Sequence, residues 1–179
     1  DVNGDASISP VNIDNGTNDA CGIDTLYLSQ YDYDCSMRGI NQVTLYGMDV
    51  NGNLDSCLAT VNVIDSIAPV AMCQDTTIYV DNNGQFTIDV SFLENGSTDA
   101  CGIDTTYLDQ YDFDCSMIGM INTVTYFVAD SSGNIGTCTS IITVLDTISP
   151  IVIADTINVY LDVNGLASII GSDLDNGSS

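Results

Sequence analysis

Residues 17–37 (TNDACGIDTLYLSQYDYDCSM) return at 97–117 (STDACGIDTTYLDQYDFDCSM) with 16 of 21 positions identical at a shift of 80. Any fold must therefore be one that the chain builds more than once. After Gly39 and Gly119 the shift becomes 81: Val43 matches Val124, Cys57 matches Cys138, and VNVIDSIAP ending at Pro69 matches ITVLDTISP ending at Pro150. DNNG at 81–84 returns as DVNG at 162–165 and at 1–4. These alignments predict a repeat lacking its first strand at 1–64, a complete repeat at 65–145 and the first two strands of a further repeat at 146–179. A unit of about 80 residues exceeds a solenoid repeat and is long enough to close a small core of its own.

Inside 65–145 the apolar runs are short and alternate. Strands are expected at Thr77–Val80, Gln85–Val90, Thr105–Leu108, Asn122–Ala129 and Ile135–Leu145, separated by DNNG, NGSTDACG, QYDFDCSMIGM and DSSGN. Period two in Phe86/Ile88/Val90 and Val124/Tyr126/Val128 buries one face of each strand. Two facing antiparallel sheets are the usual way to cover such strands, so the expected class is all-β: tandem immunoglobulin-like sandwich repeats with disulfides inside each repeat. The chain has no Trp, which leaves Phe, Tyr, Ile and Val to fill a thin interior that leans on covalent staples.

The formal charge of -24, with Arg38 the one basic residue, penalises a compact state unless cations screen or bind the carboxylates. The 45% hydrophobic content argues against an acidic disordered tail. One arginine makes no footprint for nucleic acid or for an anionic membrane surface, and no apolar run approaches a bilayer-crossing length. Residue 1 already lies inside a repeat, so an excerpt of a longer chain is expected.

Seven cysteines at repeating positions point to structural disulfides formed in an oxidising compartment. Zinc is the rival, but there is no CxxC pair and no His. Cys73, Cys101, Cys115 and Cys138 allow three pairings. In a sandwich, the start of the first strand and the loop between the second and third strands share an end. The expected bonds are therefore Cys73–Cys101, Cys115–Cys138 and, by translation, Cys35–Cys57, with the partner of Cys21 upstream of residue 1. Ala154 stands in the place of Cys73, so the third repeat is expected to lack the Cys101 equivalent too.

The Asp residues concentrate in loops. Asp130 and Asn134 in the last hairpin turn and Asp99 after the second strand should meet Asp65 in the arriving linker. The group recurs as Asp49, Asn53 and Asp19, and Asp146 repeats Asp65. Oxygen ligands converging from three segments are what a hard cation such as Ca²⁺ takes, and structural calcium at the junctions is expected. The competing reading, preferred for DNNG and DVNG, is that Asp and Asn satisfy their own turns. DVNGD at 1–5 is no EF-hand loop, because its Gly is at position four and Asn12 stands at position twelve. Arg38 is matched by Ile118, so the repeat does not require its charge. Tyr31, Tyr33, Tyr111 and Phe113, interleaved with Asp32, Asp34, Asp112 and Asp114, make either a sugar-binding strip or a strand with one buried face. No residue has a distinguishable acid, base or nucleophile role, so no enzyme is expected.

At NGSTDACGID, DSSGN and DTISP the chain resembles HYR-like, immunoglobulin-like tandem repeats of large secreted or cell-surface proteins of Bacteroidetes-group bacteria. The resemblance implies an extracellular, structural or adhesive element such as a surface fibre or adhesin stalk. Its partners would be further copies of the same repeat in a longer chain or filament, or surface glycans. The alternative is an accessory carbohydrate-binding or spacer module of a secreted enzyme. It also implies O-glycosylation in Asp-Ser/Thr triplets at Thr25, Ser66, Thr76, Thr105, Thr147 and Thr156. Asn15, Asn95 and Asn176 head N-x-S/T triplets.

Overall fold

A computed structural model describes residues 1–178. Its strands are β1 (Ala6–Ser7), β2 (Ile23–Leu28), β3 (Asp32–Tyr33), β4 (Gly39–Asp49), β5 (Leu54–Val63), β6 (Thr76–Tyr79), β7 (Gln85–Thr87), β8 (Ile103–Leu108), β9 (Asp112–Asp114), β10 (Asn122–Asp130) and β11 (Ile135–Leu145). They form two successive units of immunoglobulin-like sandwich. In the second, a sheet ordered β6-β11-β10-β8 faces the ribbon β7-β9. In the first, β2-β4-β5 accompanies β1-β3.

The alternation in β10 explains its place. Val124, Tyr126 and Val128 point inward and are buried, as are Ile142 and Val144 of β11, Ile78 of β6 and Leu108 of β8. Phe113 of β9, Ile88 and Leu93 close the same core from the other side. Each large side chain so buried contributes about 1.5–3 kcal/mol. The first unit uses the same register, with Leu45 opposite Cys57 as Tyr126 is opposite Cys138. It buries only Leu28, Val43 and Leu45 in its main cluster, because nothing lies along β5 where β6 lies parallel to β11. The first unit is therefore the weaker of the two.

The structure departs from expectation in three places. The segment read as the connection QYDFDCSMIGM contains β9, since Phe113 is buried between exposed Asp112 and Asp114. The second strand ends at Thr87, and Val90–Phe92 turns as a 3-10 helix whose first free N–H, that of Ser91, donates to Asp89 at 2.9 Å. Residues 146–178 form no strand ladder. They keep one bridge, Ala154 to Asp175, which repeats the Cys73 to Glu94 bridge, a turn at Asp162–Gly165 and a short helix, Gly171–Leu174. Among the described residues they have no counterparts of β9 and β11 beside them, and an unpaired strand has no independent stability. Ser179, the end of that expected repeat, lies outside the described residues.

The disulfide pairing also differs. Cys73 is bonded to Cys138 and Cys35 to Cys101, while Cys21, Cys57 and Cys115 are unbonded and exposed. The expected Cys73–Cys101, Cys115–Cys138 and Cys35–Cys57 bonds do not form. The parallel register Thr76 to Ile142, carried three residues back, puts Cys73 level with Thr139 and so next to Cys138, with Cα atoms 6.1 Å apart. Strand adjacency, not loop proximity, decides that partner. Cys35 opens a 3-10 turn at the end of the first unit and meets Cys101 of the second with Cα atoms 5.1 Å apart. One bond is thus internal to a unit and the other joins two units. Ala154 consequently bears on the counterpart of Cys138, not of Cys101.

Candidate functional site

The place where the two units meet gathers most of the chemistry the molecule has. Asp65 arrives in the linker, Asp99 in the turn before β8, and Asp130 at the end of β10. One carboxylate oxygen from each lies within 4.8 Å of the others. Asp130 is 3% exposed. Burial pushes its carboxyl up, but donors from the Asn134 side chain and the N–H groups of Asn134, Ser132 and Gly133 outweigh that and hold it below the usual carboxylate range. The N–H groups of Ser132 and Asn134 both donate to Asp130 Oδ1, at 2.8 and 2.9 Å, whereas Oδ2 receives Asn134 Nδ2 at 2.7 Å. The turn is thus satisfied mainly through one oxygen, and the other keeps a lone pair for a cation.

Asn134, expected as an oxygen ligand, presents its amide nitrogen instead. It donates to Asp130 and also, at 3.2 Å, to the Asp65 carbonyl, so it ties the linker to the turn. Arg38, which translation to Ile118 had made dispensable, reaches across from the first unit. Its Nη1 is 3.9 Å from Asp65 Oδ2 and donates to Ser132 Oγ at 3.2 Å. The Cys35–Cys101 bond lies in the same junction: Cys35, Cys101, Arg38 and Asp65 line one cavity of about 100 Å³.

Asp19, Asp49 and Asn53, the same group one repeat earlier, line a cavity of about 310 Å³ in the first unit. Asn53 Nδ2 donates to Asp49 Oδ2 at 2.7 Å, and that bond, with those from the Asn53 and Asn51 N–H groups, lowers the Asp49 pKa. Asp146 is exposed and accepts from the Ile148 N–H at 2.8 Å. Of the expected glycosylation positions, Ser66, Thr105, Thr147 and Thr156 are exposed, and Thr25 and Thr76 are half-buried within β2 and β6. The aromatic strip is split: Tyr33 and Phe113 are buried, and the hydroxyls of Tyr31 and Tyr111 each accept a backbone N–H, from Leu28 and Leu108, at 3.0 Å. Tyr33 and Phe113 thus follow the strand reading, with one buried face.

A polar contact that the sequence reading missed sits inside the second unit. The Tyr126 hydroxyl donates to Glu94, which also accepts from the N–H groups of Gly96 and Ser97 and from Ser97 Oγ. Burial and the neighbouring carboxylate raise the Tyr126 pKa. Burial works against ionisation of Glu94, but these donors lower its pKa on balance. In the first unit the matching positions are Leu45 and Asp14, so this tyrosine–glutamate contact has no equivalent there.

These observations define an all-β, disulfide-linked sandwich repeat. Residues 64–144 match the family model of the HYR domain and are HYR-like. Among solved structures the chain is similar to protocadherin gamma B7 extracellular cadherin domains 1–4, at 14% identity and a TM-score of 0.38, over 76% of this chain and 46% of that one. The chain thus spans less than half the length of that structure. No curated protein matches the sequence. No described helix is long and apolar enough to cross a membrane.

Proposed function

We propose that the chain is an extracellular, adhesion-type structural element whose task is to hold successive sandwich units at a fixed spacing and angle. The observation that carries this is the junction itself. A disulfide and the Arg38–Asp65–Ser132 contacts act between units, and three carboxylates converge where the linker meets the second unit; a flexible linker would need none of them. Disulfides suit an oxidising compartment, and the HYR-like match of 64–144 fits a repeat used in series. Calcium at Asp65, Asp99 and Asp130 would cancel the repulsion of three neighbouring carboxylates and stiffen the joint further. Small-angle scattering of the protein under calcium, chelator and reductant tests the proposal. A stiff joint gives one extended length in calcium, and reduction broadens the distribution. Equal flexibility before and after reduction would defeat the reading, and identical scattering and melting with chelator would remove the calcium.

A further inference from the structure

The main sheet of each unit has a second face, opposite the core, and both units carry the same feature on it. In β10, Val124, Tyr126 and Val128 are buried, so Thr123, Thr125 and Phe127 point the other way. Phe127 pairs with Tyr107 of β8, and the two rings stack with centroids 4.7 Å apart and planes 1° from parallel. The first unit does the same with Tyr27 and Tyr46, paired across β2 and β4, at 4.8 Å and 10°. A cross-strand aromatic pair steadies a sheet. Even so, Tyr27 and Tyr107 remain 36% and 37% exposed, which is ring area that folding leaves in water.

The surroundings of the rings are polar but uncharged. β11 adds Thr137, Thr139 and Thr143, exposed on the side away from buried Ser140, Ile142 and Val144. Strands favour threonine, which accounts for the residue type but not for the lack of charge. The chain has 25 Asp and Glu residues. In β6, β8, β10 and β11 the carboxylates are Asp104, where β8 and β10 shift register, and Asp130, buried at the end of β10. Asp75 and Asp109, which reach the sheet from its margins, accept the N–H groups of Ile141 and Thr125 at 2.8 and 2.9 Å. In the first unit Ser29 takes the place of Asp109, and its Oγ accepts the Thr44 N–H at 2.9 Å. The outer face of the sheet is thus a neutral window, ringed by hydroxyls, in an otherwise acidic molecule.

We propose that this face binds a neutral polysaccharide chain, laid across the stacked rings of each unit. The proposal deepens the adhesion-type reading by naming a partner, and it rests on that reading. A pyranose ring carries C–H groups on its faces and hydroxyls around its rim. The first match the exposed aromatic area, and the second match threonine hydroxyls, which both donate and accept. Charge decides against the other occupants. A polyanion meets the field of a chain charged -24, and so does a second copy of the chain. A like sheet would also cover the threonine hydroxyls without the rim of partners that a sugar brings, and an unpaired covered hydroxyl costs about 1–3 kcal/mol. Each open face makes a weak site. Two such faces on one chain act together, because the second contact is intramolecular once the first is made.

The test is affinity electrophoresis of the purified chain in native gels cast with hydroxyethyl cellulose, with glucomannan or with polygalacturonate, the last a carboxylated control. The neutral polymers should retard the chain and polygalacturonate should not. Tyr27→Ala and Tyr107→Ala should each weaken the retardation about tenfold, and together they should abolish it, since two linked sites exceed either alone. Loss of a stacked ring can also loosen the sheet, so Thr125→Val combined with Thr139→Val serves as the second variant. Valine keeps the shape and suits a strand, and this variant should melt with the parent yet bind several-fold more weakly. No retardation by either neutral polymer, unchanged binding in the double tyrosine or the valine variant, or equal retardation by polygalacturonate would overturn the proposal. So would sedimentation showing dimers that Tyr107→Ala removes, which would give the face to a second copy. The stiffness of the junction, read by scattering without any polymer, is untouched by each of those outcomes.

Discussion

Replacing Cys73 and Cys138 together by alanine should destabilise the second unit far more than the loss of two sulfur atoms implies. The bond closes a loop with a sequence separation of 65, and the chain-entropy estimate for a loop of that length is about 4 kcal/mol. For a unit of this size each kcal/mol moves the melting temperature by about 4–8 °C, so the transition of the second unit should fall by roughly 15–30 °C. Differential scanning calorimetry resolves it, because the first unit, with its smaller core, should melt separately and at lower temperature. Cys115→Ala supplies the control for cysteine replacement at an exposed, unbonded position. A shift of the second transition no larger than that of the control would refute the reasoning. So would a peptide map of the parent that links Cys73 to Cys101.

Tyr126→Phe removes the hydroxyl from Glu94 and should cost about 1.5–3 kcal/mol, read by urea denaturation of the second unit. Buried Tyr33 and Ser140 have side-chain oxygens without partners, and the repeat places Phe113 and Ala59 at the matching positions. Tyr33→Phe and Ser140→Ala should therefore be neutral or stabilise by up to about 1 kcal/mol in thermal melts, since an unpaired buried group costs about that much or more. Leu93→Ala, in the core of the second unit, should cost about 2–5 kcal/mol, while Leu161→Ala, on the exposed tail, should change stability by less than about 0.5 kcal/mol. The carboxyls of Glu94, Asp130 and the turn residues Asp49 and Asp81 are held below their ordinary range. Their contribution is present above the unfolded pKa of about 4 and is lost as pH falls through the folded values. The melting temperature should accordingly drop only below about pH 4, and Glu94→Gln should reduce the drop.

The repeat and the period-two runs made the strands and their inward faces legible, because alternation along β10 and β11 is a local property. The convergence of Asp65, Asp99 and Asp130 was legible for a related reason: sandwich topology brings those three loops to one end. The bonds were not, since Cys73 finds Cys138 through a parallel register that no local pattern announces, and Cys35 finds Cys101 only because of how one unit sits on the next. Arg38 was passed over for the same cause. Translation by one repeat compares equivalent sites, whereas Arg38 works on a residue of the adjoining unit, where the repeat offers no second instance to compare.

The two sulfur bridges overlap along the chain, each spanning one end of the other, and this governs how far the molecule could be drawn out by a pull on its ends. Without them the stretch from Cys35 to Cys138 could extend to about 350 Å. With both intact the shortest covalent route runs from Cys35 across to Cys101, back along the backbone to Cys73 and across to Cys138, and it limits that stretch to about 100 Å. A tether made this way would surrender little length under load even after its sheets had come apart.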